Sequence, residues 1–425
     1  MNNDNSNSDN DNSNSDNENS DNQDETIHGQ QNQHKHRQEL KQDFESFDAM
    51  FLEIHPFWQC YLPLAKKHGV PVVIGTIALR LYFTSDYAVG NPRLPSASAV
   101  EGHFIEPKMN FYDRLQNFYY EIESQVLHYL LKFRETVVYK ELFNDHDLES
   151  TKISLLLINN HASVMPRVLA PNTISVGGIQ VKSAKLNPLP KDLQTILDEA
   201  QQGVILFSLG TITSDDALNP DLRTVLIRTF EKIPQRVLWK FNGKIDGLSN
   251  NVLLRKRFPQ KEILAHKNTV AFISHCGINS AYEAIYFGKP LVLIPIFGDQ
   301  PSNAALLNSL GVGIYLHFQE ISEQKLLDAL NEVINSTRFR DRIEELSKKF
   351  RDDPVPLTEL VVYWTEYVIR HKGAQDLRSS EADMPAYQYF LIDATMFIVI
   401  SLVLILFAAK FLVQLIIVKL IKSGI

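Results

Sequence analysis

Apolar runs of strand length alternate with helical patterns through the second half of the chain. Val204–Ser208, Arg236–Phe241, Thr269–Ser274, Leu291–Ile296 and Gly313–Leu316 read as strands. Asp221–Lys232, Ser280–Phe287, Ser302–Ser309 and Ser322–Ile334 carry helical spacing between them. Strand and helix in turn predict βαβ units and a parallel sheet covered on both faces. Upstream, FDAMFLE from Phe47 and GVPVVIGT from Gly69 also have strand length. A helical stretch around Phe111–Phe133 follows, then the loop-rich MPRVLAPNTISVGG. Asn187-Pro188-Leu189-Pro190 reads as the linker between two α/β units. Beyond the second unit, Leu357, Leu360, Val361, Trp364 and Val368 recur at helical spacing, a stripe that must cover one unit or the other.

The two ends depart from this pattern in opposite ways. Of residues 1–24, 21 are Asn, Asp or Ser, so the segment has almost no apolar surface to offset its ordering entropy. It also lacks the basic start and apolar run of a signal peptide. Near the other end, Ala394–Ala409 carries no charge, and after Lys410 the apolar run resumes to Val418. A span of 391–418 exceeds the ~20 residues that cross a bilayer. Lys410 would snorkel or face a partner, and Lys419 and Lys422 favour a cytosolic C-terminus. The expected organisation is a disordered tail (1–44), a first α/β unit (45–186), a second (187–350), a juxtamembrane segment (351–390), a transmembrane helix (391–418) and a short tail (419–425).

Charge changes the picture only by its location. The formal net charge of −8 resides in residues 1–34, which hold eight acids and no Lys or Arg. The other 42 acids balance the 42 bases, and no basic block suggests a nucleic-acid footprint. Two cysteines, Cys60 and Cys276, set up neither a disulfide framework nor a cysteine-rich zinc site.

Candidate chemistry concentrates in FISHCGINSAYEAIYFGKP, residues 272–290. A buried strand runs into a turn at His275-Cys276-Gly277, with Asn279 and Ser280 suited to the start of the next helix. A helix N-terminus after a parallel strand offers free backbone N–H groups and a positive dipole end, which suit phosphate. Gly277 lets the backbone approach a ligand closely. Glu283, four residues after Asn279, lies on the same helix face and can accept from a ribose diol. Asp299 and Gln300 follow the next strand, at the sheet edge where open α/β folds bind ligands, and can bond neighbouring sugar hydroxyls. Together these residues suit a nucleotide-sugar. Zinc at His275-Cys276 lacks further ligands at the right spacing, Cys276 as nucleophile rests on a short motif, and no GxGxxG turn supports an NAD-dependent epimerase.

The run RFPQKEILAHKNTVAFISHCGINSAYEAIYFGKPLVLIPIFGDQPSN resembles the donor-binding signature of the UDP-glycosyltransferases, in particular the membrane-bound animal UDP-glucuronosyltransferases. VGG at 176–178, FSLGT at 207–211, VLWKFNG at 237–243 and VVYWTEYVIRHKGAQDLR before the apolar span extend the resemblance over residues 45–420. It implies a GT-B fold of two Rossmann-like domains, the N-terminal one incomplete here, plus a C-terminal transmembrane helix. It implies inverting transfer of glucuronate or glucose from a UDP-sugar to a small lipophilic acceptor, with no metal and no cofactor. Carried over, Ser208 and His275 contact the diphosphate, joined at the helix tip by Asn279 and Ser280. Gln260 and Glu283 hold the ribose, and Asp299 and Gln300 the sugar. Lys240 stands where the family often has Arg, and Arg257 where it usually has a Trp on uracil, which a guanidinium can also cover.

The family's general base is a His in the first strand–helix loop, oriented by an acid that Glu53 in FDAMFLE would supply. Only 46 residues precede Phe47, and His28, His34 and His36 among them match nothing in that pattern, so the base region is expected to be missing. His55, two residues beyond Glu53, is a minor candidate. The alternative is a catalytically silent, UDP-binding membrane partner of complete relatives, in homo- or hetero-oligomers. The resemblance implies an endoplasmic-reticulum anchor with the domains in the lumen; without a signal peptide, tail anchoring would leave them in the cytosol. The sequon Asn335-Ser336-Thr337 reports on which.

Overall fold

The computed structural model describes residues 47–54, 61–77, 83–96, 98–100, 103–143, 152–210, 218, 220–380 and 384–422. The polar tail with His28, His34 and His36, and also His55, Cys60 and Thr211 of the FSLGT run, lie outside the described residues.

Two parallel sheets organise the chain. The first has the order β1-β2-β3-β4, built from β1 (Ala49–Glu53), β2 (Val72–Ile77), β3 (Leu155–Ile158) and β4 (Thr173–Ser175). Helices α1 (Leu62–Lys67), α2 (Phe83–Val89) and α3 (Phe111–Phe143) lie between its strands, and α4 (Ile179–Lys182) leads out of it. Helix α3 runs ten residues past the stretch its sequence pattern suggests.

The second sheet contains β5 (Val204–Ser208), β6 (Arg236–Lys240), β7 (Val252–Arg255), β8 (Thr269–Ser274), β9 (Leu291–Leu293) and β10 (Gly313–Tyr315). Its order, β10-β9-β8-β5-β6-β7, is the doubly wound arrangement in which the chain starts in the middle, builds one half outward, then returns to build the other. The reversal falls between β5 and β8, whose register sets Ser208 beside Ser274 at the carboxyl ends. Around this sheet lie α5 (Lys191–Glu199), α6 (Pro220–Glu231), α7 (Gln260–Ala265), α8 (Ile278–Tyr286), α9 (Gln300–Ser309), α10 (Glu323–Asn335) and α11 (Thr337–Arg351).

Every residue of β5 is buried, as a central strand covered on both faces requires. One face packs against α6 and α10 through Phe207, Phe230 and Trp239, whose ring centroids lie 5.2–5.8 Å apart. Each such fully buried side chain contributes roughly 1.5–3 kcal/mol of transfer free energy. The other face buries Leu206, Phe272, Tyr282, Leu293 and Phe350 under α8 and α11.

After α11 the chain crosses back. Helix α12 (Leu357–Arg370) lays Val361, Trp364 and Val368 over Val72, Ile74, Leu155 and Leu157, so its stripe covers the first sheet and not the second. Asp353, in the crossing segment, binds Lys182 of α4 (2.6 Å) and His161 after β3 (3.2 Å). A short helix α13 (Ala386–Tyr389) then precedes α14 (Ile392–Lys422). Within α14, Ile392–Leu420 is 29 residues long, has a mean hydropathy of 2.8, and its large apolar side chains are exposed. A helix this apolar, its long side chains left uncovered by the described residues, has the length and composition to cross a membrane.

Candidate functional site

The predicted residues gather at the carboxyl ends of β5, β6, β8 and β9. Strand β8 ends at Ser274, and the next three residues are held in a fixed turn. The Ser274 hydroxyl accepts from the Cys276 backbone N–H (3.1 Å), and Cys276 takes a left-handed φ of 68°. Such a φ is uncommon for a residue with a side chain, and the surrounding contacts hold it in place. One of these is the Asn303 side-chain amide, which donates to the Cys276 carbonyl (3.0 Å). The Cys276 thiol is fully buried and its pKa is pushed well up by desolvation, so it stays protonated and is no nucleophile.

Helix α8 starts two residues earlier than the sequence pattern suggests. Gly277 is its N-cap, and the first helical bond runs from the Ala281 N–H to the Gly277 carbonyl (3.0 Å). The amides of Ile278, Asn279 and Ser280 therefore precede the hydrogen-bonded ladder, as at any helix N-terminus. No side chain caps them within the helix.

His275 sits over this tip. Burial brings its pKa down from 6.5 to about 4, with Lys240 pushing the same way and Asp299 and the Ser208 backbone opposing. The imidazole is therefore neutral near pH 7. Two glycines make room for it: a Cβ on either Gly210 or Gly277 would lie 2.6 Å from its Nε2. Its Nδ1 is buried without a partner among the described residues, a group ready to bond to whatever occupies the crevice. The Ser208 hydroxyl accepts from the Gly210 N–H (3.2 Å), and Lys240 Nζ donates to the Gly210 carbonyl (2.9 Å). Ser208, Lys240 and His275 thus converge on Gly210.

A second cluster lies one turn along α8. The Gln260 amide, at the start of α7, donates both to Ser280 Oγ (3.0 Å) and to Glu283 Oε2 (2.8 Å). Burial raises the Glu283 pKa, against the favourable bond from Gln260. Asp299 and Gln300, both buried, stand at the start of α9. Asp299 accepts from the Asn303 amide (2.8 Å), while Gln300 Oε1 accepts from the N–H groups of Ile296 (2.8 Å) and Phe297 (3.1 Å).

Three predicted residues stand apart from these clusters. Asn279 turns its side chain to the other sheet, where Oδ1 accepts from Asn159 (2.8 Å) and Gln180 (3.2 Å). Arg257 is exposed in the turn after β7. Glu53, at the carboxyl end of β1, accepts from the Thr76 hydroxyl (2.7 Å). Sequence reasoning overlooked Gly210 and Asn303, although both fall in runs it had singled out. A cavity of about 420 Å³ also opens between the two sheets. Leu94, Val100, Ile105 and Met165 line it on one side, and Leu306 of α9 with Leu310 just past its end on the other.

Two Rossmann-like units facing each other, with a polar crevice at the switch point of the second, define the GT-B class of nucleotide-sugar-binding folds. Residues 21–424 match the family model of UDP-glucoronosyl and UDP-glucosyl transferases, and the chain belongs to that family. It is 36% identical over 332 residues to UDP-glucosyltransferase 2 of Dactylopius coccus, covering 76% of this chain and 64% of that one. With UDP-glucuronosyltransferase 1A9 of Homo sapiens it shares 33% over 360 residues, covering 83% and 66%. The chain thus spans about two thirds of the length of these relatives. The structure of Os79 Q202A from O. sativa in complex with UDP matches with a TM-score of 0.50 at 19% identity, over 75% of this chain and 78% of that one. At that identity the likeness speaks for the fold alone.

Proposed function

We propose that the chain is a UDP-glycosyltransferase that passes glucuronate or glucose from a UDP-sugar, with inversion, to a hydroxyl of a small lipophilic acceptor. The observation that carries this reading is the convergence, at the β5/β8 switch point, of Ser208, His275 and the open tip of α8, with the Gln260–Glu283 pair one turn on. The tip and the neutral His275 would bind the diphosphate with Ser208 and Ser280. Glu283, steadied by Gln260, would accept from the ribose diol, and the Arg257 guanidinium would cover the uracil. Asp299 and Gln300 would hold the sugar beside the interdomain cavity, whose apolar walls suit the acceptor. Glu53 would orient a general base on the other side of the cleft. Asn279, bonded across the cleft to Asn159, would set the distance between the two sheets.

The test is calorimetry with UDP, followed by donor consumption with UDP-glucose and UDP-glucuronate and a set of lipophilic phenols. UDP should bind, and His275→Ala should weaken it about 10–100-fold, the worth of one hydrogen bond to a charged group. Absence of UDP binding overturns the reading. Binding without sugar transfer leaves a donor-binding protein that could partner related transferases. We also place the domains on the lumenal side of an endoplasmic-reticulum membrane. A glycan on the exposed Asn335, removable by endoglycosidase, supports that side, and an unmodified Asn335 in cells counts against it.

A further inference from the structure

Helix α3 is built the wrong way round for water. Its residues against the protein are polar: Asn117 is fully buried, Glu121 is 2% exposed and Glu135 5%. Polar bonds hold this side down. Asn117 accepts from the Val100 N–H (2.8 Å) and donates to the carbonyls of Pro95 (2.7 Å) and Ser98 (2.8 Å). Glu121 takes three bonds from the Arg93 guanidinium, the shortest 2.6 Å. The opposite face is apolar and open, with Tyr112 77% exposed, Phe133 71%, and Leu115, Phe118, Ile122 and Val126 all more than two-fifths exposed between them. The helix has 33 residues, so this face runs about 50 Å. Soluble monomers rarely leave so long an apolar strip uncovered.

What covers it is indicated by where the chain enters its apolar span. The Arg93 backbone N–H donates to the Tyr389 hydroxyl (3.2 Å) in α13, three residues before α14 begins. Arg93 therefore holds α3 through its side chain and the foot of α14 through its backbone. The strip itself is rich in Phe and Tyr, with Arg114, Lys132 and Arg134 exposed along the same helix. Aromatic rings with basic neighbours characterise segments that lie in the headgroup layer. We infer that α3 rests lengthwise in the surface of the bilayer that α14 crosses, its apolar face in the acyl boundary and its polar face toward the first sheet. This rests on α14 being a membrane span. It gives the first α/β unit a second membrane contact and presses the rim of the interdomain cavity, which Arg93 and Glu121 also line, against the lipid.

The experiment uses the full chain in phosphatidylcholine liposomes with brominated acyl chains, which quench tryptophan by contact. Phe118→Trp, Tyr129→Trp and Phe133→Trp report on α3, Phe407→Trp on α14 and Gln324→Trp on the exposed side of α10, each against the parent signal. The α3 and α14 positions should be quenched about twofold or more and Gln324→Trp hardly at all, as expected for a helix buried ~5–10 Å into the interface. Quenching at Phe407→Trp with none on α3 overturns the inference and leaves the anchor standing. No quenching at either removes the anchor as well. Blue-shifted but unquenched emission on α3 identifies a protein partner, a second copy included, and likewise overturns it.

Discussion

The six-stranded sheet and the four-stranded sheet keep their helices in place by different means. Around the second sheet, α6, α8, α10 and α11 turn apolar stripes inward onto Phe207, Trp239, Phe272 and Leu293. On the first sheet α12 does the same, but α3 is held by Arg93, Glu121 and Asn117, with Arg93 and Arg167 also bonded to Asp86. Apolar packing tolerates exchange among residues of similar volume, whereas a buried charged network depends on every member being present. The second unit is thus robust to drift in its core, and the first is sensitive to single charges.

The largest expected effect tests that contrast directly. Arg93→Met keeps much of the side-chain volume but leaves Asp86 (1% exposed) and Glu121 (2%) without the cation between them. It should cost about 3–5 kcal/mol in denaturant unfolding, whereas Leu206→Met in the second sheet should cost less than about 1.5 kcal/mol. Equal losses would erase the distinction. Next in size is a pH effect in the second unit. The folded chain holds His275 at about 4 and the unfolded chain returns it to 6.5, so the unfolded state takes the proton first as pH falls. The stability is fully present above 6.5 and is lost toward 4, up to about 3 kcal/mol. Unfolding curves of the parent and of His275→Asn should converge across this window.

Smaller effects sharpen the picture within the crevice. Gly210→Ala adds a Cβ 2.6 Å from His275 Nε2 at a φ of 87° and must displace the imidazole. UDP affinity should fall about tenfold, close to one hydrogen bond's worth, as read by calorimetry. Arg257→Ala should weaken UDP only about two- to fivefold, the scale of an exposed guanidinium on a ring. An unchanged affinity removes Arg257 from the uracil site.

Much of this architecture was legible in the sequence. The five strongest strands of the second sheet were readable because each has an apolar centre and is bounded by helical patterns, and the α8 tip because strand, turn and helix fall within one short run. β7, α5, α7 and α11 were not singled out. β7 is a half-buried edge strand of four residues, α7 has only six, and α11 is so charged that its inward residues, Phe339, Ile343, Leu346 and Phe350, stand out only once the sheet beneath them is known. The pairing of Asn279 with Asn159, 120 residues away, has no local trace at all. Periodicity says which face of an element a residue occupies; it does not say what stands opposite. For the same reason α3 could be recognised as a helix while its inversion went unseen.

The return crossing has a mechanical consequence. The chain passes between the two units once after α4 and once before α12, and Lys182 and Asp353 clasp the two passages 2.6 Å apart. Phe350 closes the joint from below, so near Gly178 that a Cβ there would lie 2.5 Å from its ring. Two adjacent passages, tied together, leave the units little freedom to slide or twist. The Asn159–Asn279 contact stands beside this clasp, because Asn279 also accepts from Gln180 of α4, and so it belongs to the same joint.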